Sequence, residues 1–77
     1  MRNYIIRFKD VRDKCRFVDR ANSVTYDIDL EYGSRSADGK SALGVVANMP
    51  EGANIRALFN TNSPNVRMDF DEWIVGD

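Results

Sequence analysis

Apolar and polar residues alternate most strictly along nine consecutive positions, VTYDIDLEY, at residues 24–32. An alternation of period two places successive side chains on opposite faces of a β-strand. The segment is therefore predicted to be a strand with one face on a core and the other in water. The predicted inward residues are Val24, Tyr26, Ile28, Leu30 and Tyr32, and the predicted solvated acidic residues are Asp27, Asp29 and Glu31.

A helical spacing precedes this strand. Asp10 is a good N-cap residue, and Val11, Cys15, Val18 and Asn22 follow at i, i+4, i+7 and i+11. The spacing predicts an amphipathic helix over residues 10–22. Cys15 is expected to be a buried core thiol because it lies on the apolar stripe.

The remaining segments complete a predicted β-α-β-β-α-β-α order. Strands are predicted at residues 4–8, 36–38 and 53–59, and a short helix at residues 42–48 follows Gly39-Lys40-Ser41. Residues 64–75 fit a helix begun by Ser63 and Pro64, with Trp73 as a lid on the core, but they also alternate as a strand does. The expected fold is a single α+β domain over residues 1–77, an open-faced sandwich with an antiparallel sheet and helices on one face.

Composition restricts the chemistry. Of the 77 residues 43% are hydrophobic, and the net charge is −1, so no global charge favours nucleic acid or a membrane. The charge is uneven, since residues 1–20 carry seven basic and three acidic residues. The chain has no histidine and one cysteine, which excludes imidazole catalysis and an intrachain disulfide and fits a reducing cytoplasm. The N-terminus is expected to be neither a signal peptide nor a membrane span.

The element order and several motifs resemble HPr, the phosphocarrier of the bacterial sugar phosphotransferase system. The similarity runs without a gap from about Phe17 to Ile55, roughly half of the chain. It includes Asp29-Leu30-Glu31-Tyr32-Gly33, Lys40-Ser41, Gly44-Val45 and Glu51-Gly52. The resemblance implies an HPr-like fold and a role in sugar or carbon catabolite regulation.

The chain departs from this family at the phosphocarrier site. Carried over without gaps, the family's active-site histidine falls on Asp10 and its arginine on Arg12, and the preceding loop is several residues shorter. An N-cap carboxylate repels an incoming phosphate, so phosphoryl transfer through this site is expected to be lost. In lacking the histidine the chain resembles the Crh proteins of the family.

The resemblance implies a second site at Ser41, the position that a dedicated serine kinase phosphorylates in some HPr proteins. The modified family members then bind a transcriptional regulator. From the residues alone, Ser41 is a helix N-cap, and both interpretations stay open. We expect Lys40 and Arg12 to lie near a phosphate there and Gly44 to allow a partner close to the backbone. The expected docking residues are Ala42, Leu43, Val46 and Met49.

The sequence thus predicts a cytoplasmic, non-enzymatic HPr-like regulatory or adaptor protein without a cofactor or metal. It is expected to be a monomer or a weak homodimer that contacts protein partners and no membrane. Two alternatives stay open: a degenerate phosphocarrier, and an unrelated ligand- or RNA-binding role on the same scaffold.

Overall fold

The computed structural model describes residues 1–77 and contains five strands and three helices. The α+β class and the open antiparallel sheet are confirmed, and a fifth strand follows the last helix, which the sequence did not predict. No helix has the length and apolar content needed to cross a membrane. The elements are β1 (Arg2–Ile6), α1 (Val11–Asn22), β2 (Ile28–Tyr32), β3 (Arg35–Asp38), α2 (Ala42–Asn48), β4 (Ile55–Phe59), α3 (Val66–Asp69) and β5 (Ile74–Gly76).

The sheet has the strand order β3-β2-β4-β1-β5, and every neighbouring pair is antiparallel. Strands β2 and β3 form a hairpin in which Tyr32 pairs with Arg35 across a tight turn. Gly33 in this turn has a φ of 59°, which glycine adopts without strain. Strands β3 and β5 are the two edges of the sheet.

The core lies between the helices and one face of the sheet. Alternation along β4 buries Ile55, Ala57 and Phe59, as predicted. The aromatic rings of Phe17, Phe70 and Trp73 pack together at centroid distances of 5.2–6.1 Å. Trp73 is 1% exposed, so it belongs to the interior of this cluster and is more than a lid on it.

A buried carboxylate fixes the start of α1. Asp10 is the N-cap, as predicted, and accepts a hydrogen bond from the Asp13 amide at 2.7 Å. The Asp13 carboxylate itself accepts from the Lys9 amide at 2.9 Å, from Trp73 Nε1 at 2.9 Å and from Arg16 Nη1 at 3.1 Å. Four polar groups from the β1–α1 link, α1 and the C-terminal segment therefore share one small site.

The prediction that Cys15 is buried was wrong. Cys15 and Val11 are exposed, and the helix buries the face that carries Asp13, Lys14 and Phe17. Periodicity assigns charged residues to the solvent side, but both Asp13 and Lys14 have partners inside the fold. The helix is therefore rotated relative to the predicted apolar stripe.

The second strand begins four residues later than predicted. Residues 24–26 form a bend, although the side chains of Val24 and Tyr26 still pack against the core. The carbonyl of Val24 accepts from Lys40 Nζ and the carbonyl of Asp27 from the Asn60 amide. These bonds from outside the segment replace the strand ladder there. At the other end of β2, Tyr32 was predicted to face the core. It is instead 40% exposed.

Residues 64–75 form the predicted helix only in part, and no strand forms at the alternating positions 66, 68 and 70. Helix α3 spans only four residues, and its N-cap is Asn65, whereas Ser63 was predicted. Ser63 Oγ accepts from the Asn65 amide just before the helix. After Trp73 the chain extends as β5 and pairs with β1. A long helix would not bring Trp73 to Asp13 and at the same time add a strand to the sheet.

The fold requires glycine at position 39. A Cβ there would lie 2.9 Å from Ile28 Cγ2 and 3.1 Å from the Ile28 carbonyl oxygen. We expect Gly39→Ala to lower the free energy of unfolding by about 1–3 kcal/mol, because a core side chain and a backbone group must both move. Urea unfolding checks this prediction. Gly76→Ala is the matched control, since its Cβ would meet nothing nearer than 3.9 Å, and an equal loss in both variants would contradict the steric explanation.

Candidate functional site

Ser41 is the N-cap of α2, as predicted. Its Oγ accepts a hydrogen bond from the Gly44 amide at 3.2 Å, and its carbonyl accepts from the Val45 amide at 3.0 Å. The side chain is partly exposed. A cap of this kind stabilises a helix by about 1 kcal/mol relative to alanine. The hydroxyl therefore has a structural role and is also accessible from solvent.

Lys40 holds this segment against the end of α1. Its Nζ donates to the Val24 carbonyl at 2.9 Å, and its amide donates to Asp38 Oδ1 at 3.0 Å. Its carbonyl accepts from Asn22 Nδ2 at 3.0 Å. The ammonium group is therefore already hydrogen-bonded elsewhere. Lys40 is a positioning residue for Ser41 in this structure.

Gly44 allows a close approach within the chain itself. A Cβ at this position would lie 3.3 Å from Ser41 Oγ and 3.7 Å from Ala37 Cβ on β3. The glycine therefore lets the first turn of α2 lie near β3 and leaves room around the Ser41 hydroxyl. Contacts within the chain therefore explain the glycine at position 44, which was expected to allow a partner close to the backbone.

Helix α2 exposes most of its apolar side chains. Leu43 is 82% exposed, and Ala42 and Ala47 are exposed as well, whereas Val46 is partly buried. Met49 is 1% exposed and belongs to the core, so its assignment to the docking residues was wrong. It is the C-cap of α2, and its amide donates to the Val45 carbonyl.

Two residues of α1 extend this apolar surface. Asn22 lies beside the start of α2, because its side chain donates to the Lys40 carbonyl. Cys15 and Val11 precede Asn22 by seven and eleven positions, which places all three on one side of α1. Both Cys15 and Val11 are exposed. We call the surface formed by Val11, Cys15, Ala42, Leu43 and Val46 the α1–α2 surface.

The sequence pattern did not place Val11 and Cys15 on this surface. Their apolar character was visible, but it predicted burial. The orientation of the neighbouring Lys14 decides whether Val11 and Cys15 are buried or exposed. Lys14 is only 2% exposed. If Lys14 points inward, the stripe of Val11 and Cys15 must lie on the flank of the helix, since Val11 is about 60° and Cys15 about 100° from Lys14 around its axis.

Lys14 joins α1 to the end of α2. Its Nζ lies 2.9 Å from Glu51 Oε2 and 3.5 Å from the Val46 carbonyl. Cations are favourable near the C-terminal carbonyls of a helix, which are partially negative. The hydrogen bond from Lys14 holds the pKa of the Glu51 carboxyl below its ordinary value, with a backbone hydrogen bond and the lysine charge as further causes.

Arg12 does not approach Ser41, contrary to the expectation. Ser41 lies next to the C-terminal end of α1, where Asn22 contacts Lys40. Arg12 is in the first turn of α1, ten residues or about 15 Å along the helix from Asn22. It lies instead beside Asp10, where both residues line a shallow depression together with Lys9, Asp13 and Arg16.

The expected basic end of the molecule is partly neutralised in three dimensions. Arg16 forms a bidentate ion pair with Glu72 at 2.6 and 2.8 Å and contacts Asp13. The hydrogen bond and charge of Glu72 raise the pKa of the Arg16 guanidinium. Arg20 donates to the Asp69 carbonyl. Acidic side chains far along the chain thus pair with two cations of the first twenty residues, Lys14 and Arg16. No group of three or more Cys, Asp or Glu side chains is placed to share a metal ion.

The Lys14–Glu51 contact gives stability a pH dependence. A carboxyl whose pKa is lowered by folding stabilises the folded state above its unfolded pKa, and this stabilisation is lost as the pH falls through the folded pKa. We therefore expect unfolding free energy to fall between about pH 5 and pH 3, and to fall less in Glu51→Gln.

Urea unfolding at a series of pH values measures this difference. Glu31→Gln is the matched control, because Glu31 makes no ion pair in the chain. If Glu51→Gln and the unsubstituted chain lost stability in parallel as the pH falls, the contact would have no role in the pH dependence.

No protein-family model and no curated protein matches the chain. Its functional interpretation therefore rests on the motif around Ser41, on the α1–α2 surface and on the geometry that brings them together.

Proposed function

We propose that this chain is an HPr-like regulatory or adaptor protein of bacterial carbon metabolism that carries no phosphoryl group on an active-site residue. It binds protein partners through the α1–α2 surface, and phosphorylation of Ser41 regulates this binding. The observation that carries the proposal is the position of Leu43. This large apolar side chain is 82% exposed and lies two residues after the helix-capping Ser41.

The exposed apolar side chains favour a protein partner. Covering a leucine side chain contributes roughly 1.5–3 kcal/mol, so Leu43 alone can supply a large part of a weak, reversible affinity. The neighbouring Ala42 is exposed and Val46 is half-exposed on the same helix, and both enlarge the area. The surface is a convex helix face rather than a cleft, which suits docking better than catalysis.

A phosphate on Ser41 would change the charge of this surface. It adds close to two negative charges, which the N-terminal end of α2 favours by about 0.3–1 kcal/mol. The Lys40 ammonium is held by Val24, and Arg12 lies at the far end of α1. The phosphate oxygens would therefore be free to accept hydrogen bonds from arginine or lysine residues of a partner.

The sequence resemblance supports the same conclusion. The elements from β1 to β4 follow the β-α-β-β-α-β order that an HPr-like fold implies, and Lys40-Ser41 immediately precedes the second helix. The C-terminal segment departs from this pattern because α3 is short and β5 follows it. By the same resemblance, the partners are an HPr serine kinase and a transcriptional regulator in the cytoplasm.

The geometry gives the two alternatives less support. Asp10 Oδ1 is occupied by the Asp13 amide, which disfavours a phosphoryl carrier at that position. Label from enzyme I and phosphoenolpyruvate that is sensitive to hydroxylamine would support the carrier instead. The ion pairs of Arg16 with Asp13 and Glu72 disfavour an RNA-binding face on α1, and tight, salt-dependent RNA binding would support that alternative.

The phosphorylation site is tested with the serine kinase of the HPr family and ATP, followed by mass spectrometry. We expect one phosphate on Ser41 under conditions that modify an ordinary HPr. Ser36→Ala should still be modified, and Ser41→Asn should not, although asparagine retains the capping function. An unmodified chain beside a fully modified HPr control would end the phosphorylation hypothesis.

The docking surface is tested with Leu43→Ser. We expect the affinity of the Ser41-phosphorylated chain for the carbon-regulation transcription factor to fall by about tenfold or more, measured by calorimetry. Met68→Ser is the matched control, because Met68 is 76% exposed but lies on α3, outside the α1–α2 surface. Equal affinities for the two variants would remove α2 from the interface even if Ser41 were phosphorylated.

A further inference from the structure

The free edge of the sheet at β3 has unpaired backbone groups. Strand β3 pairs only with β2. Antiparallel ladders bond alternate residues, and the bond from the Gly39 amide to the Ile28 carbonyl, at 2.7 Å, shows that residues 35, 37 and 39 face β2. The amide and carbonyl of Ser36 and the amide of Asp38 therefore point away from the sheet. Such an edge is a template for another strand.

The sheet face opposite the helices is acidic next to this edge. Asp29 on β2 is directly opposite Asp38 on β3, and Glu31 is opposite Ser36. These four residues are exposed and line one shallow depression with Ala37 and Leu58. Like charges directly opposite each other across two strands are destabilising.

No cation of the chain balances these carboxylates. None of the salt bridges includes Asp29, Glu31 or Asp38. Arg56 is opposite Glu31 on β4, yet the two side chains do not form an ion pair. Arg16 and Glu72, by contrast, form a close ion pair. No ion pair within the chain thus neutralises the carboxylates of this face.

We propose that an extended segment of a protein partner, with lysine or arginine at alternate positions, pairs with the free edge of β3. Its backbone would bond the outward groups of Ser36 and Asp38. In such a strand pair, the partner residues directly opposite Ser36 and Asp38 have their side chains on the acidic face of the sheet. Lysine or arginine at these alternate positions would therefore lie close to Asp38 and Asp29.

The charges also decide against a second copy of this chain. A two-fold axis that pairs β3 with itself in antiparallel fashion keeps the same face of both sheets on one side. The acidic residues of both copies would then be adjacent, which is unfavourable. A metal ion is disfavoured as well, since these carboxylates do not converge on one point.

This surface is separate from the α1–α2 surface and does not depend on the proposed function. The carboxylates lie on the sheet face opposite the helices, whereas Leu43 lies on α2. Partners could therefore occupy both surfaces at the same time.

The proposal is tested by NMR titration of the ¹⁵N-labelled chain with a heptapeptide of alternating lysine and valine. We expect saturable shifts of the Ser36, Asp38 and Asp29 amides, and a dissociation constant about tenfold higher in Asp29→Asn/Asp38→Asn. Asp19→Asn on α1 is the matched control and should leave the affinity unchanged.

Two further measurements separate strand pairing from attraction between charges. The same peptide N-methylated at alternate amides keeps its charges but cannot bond the edge, so it should bind at least tenfold more weakly. Ser36→Pro should also weaken binding, because it removes an outward amide that β2 does not use. Equal binding of the methylated peptide, equal binding of an alternating glutamate–valine peptide, or shifts confined to α2 would each overturn the proposal. So would dimerisation of the free chain through β3 in sedimentation equilibrium.

Discussion

The buried carboxylate of Asp13 joins the first turns of α1 to the distant C-terminal segment. It accepts from the Lys9 amide before α1, from Arg16 within α1 and from the indole of Trp73 sixty residues away. Trp73 in turn packs against Phe17 and Phe70 in the core. A buried carboxylate that lost such donors would cost about 3–5 kcal/mol, so the aromatic core and this polar site must form together. The contact also explains why the last segment returns to β1 as a strand instead of continuing as a helix.

The same constraint sets the rotation of α1. With Asp13 and Lys14 both directed inward, the helix turns its Val11 and Cys15 flank outward beside α2. The apolar residues exposed there are therefore a consequence of satisfying two charges inside the fold. A helix rotated to bury Cys15 would turn Asp13 away from the core. The hydrogen bond from the Trp73 indole to the Asp13 carboxylate would then be lost. A single rotation of α1 about its axis thus explains both the burial of Asp13 and Lys14 and the exposure of Val11 and Cys15.

Features with local causes could be predicted from the sequence. The N-caps Asp10 and Ser41, the bounds of α2 and the inward face of β4 follow from capping and periodicity, which act over a few residues. Features with distant causes could not. The late start of β2 depends on Lys40 and Asn60, and β5 depends on pairing with β1. In the candidate site, the exposure of Leu43 fits the prediction, whereas Met49 is buried and Arg12 is distant from Ser41, because tertiary packing decides both.

The run Gly39-Lys40-Ser41 and the glycine at position 44 each have a structural cause. Gly39 lies against Ile28, Lys40 holds the bend at Val24, Ser41 caps α2 and Gly44 passes close to Ala37. If relatives of this chain keep these residues, the requirements of the fold explain their conservation in part. Recognition by a kinase would be a second and separate cause. Position 43 has no such internal role, since its side chain faces solvent. The fold does not require a leucine at position 43. Conservation of an apolar residue there would therefore be the clearest evolutionary sign of binding to a partner.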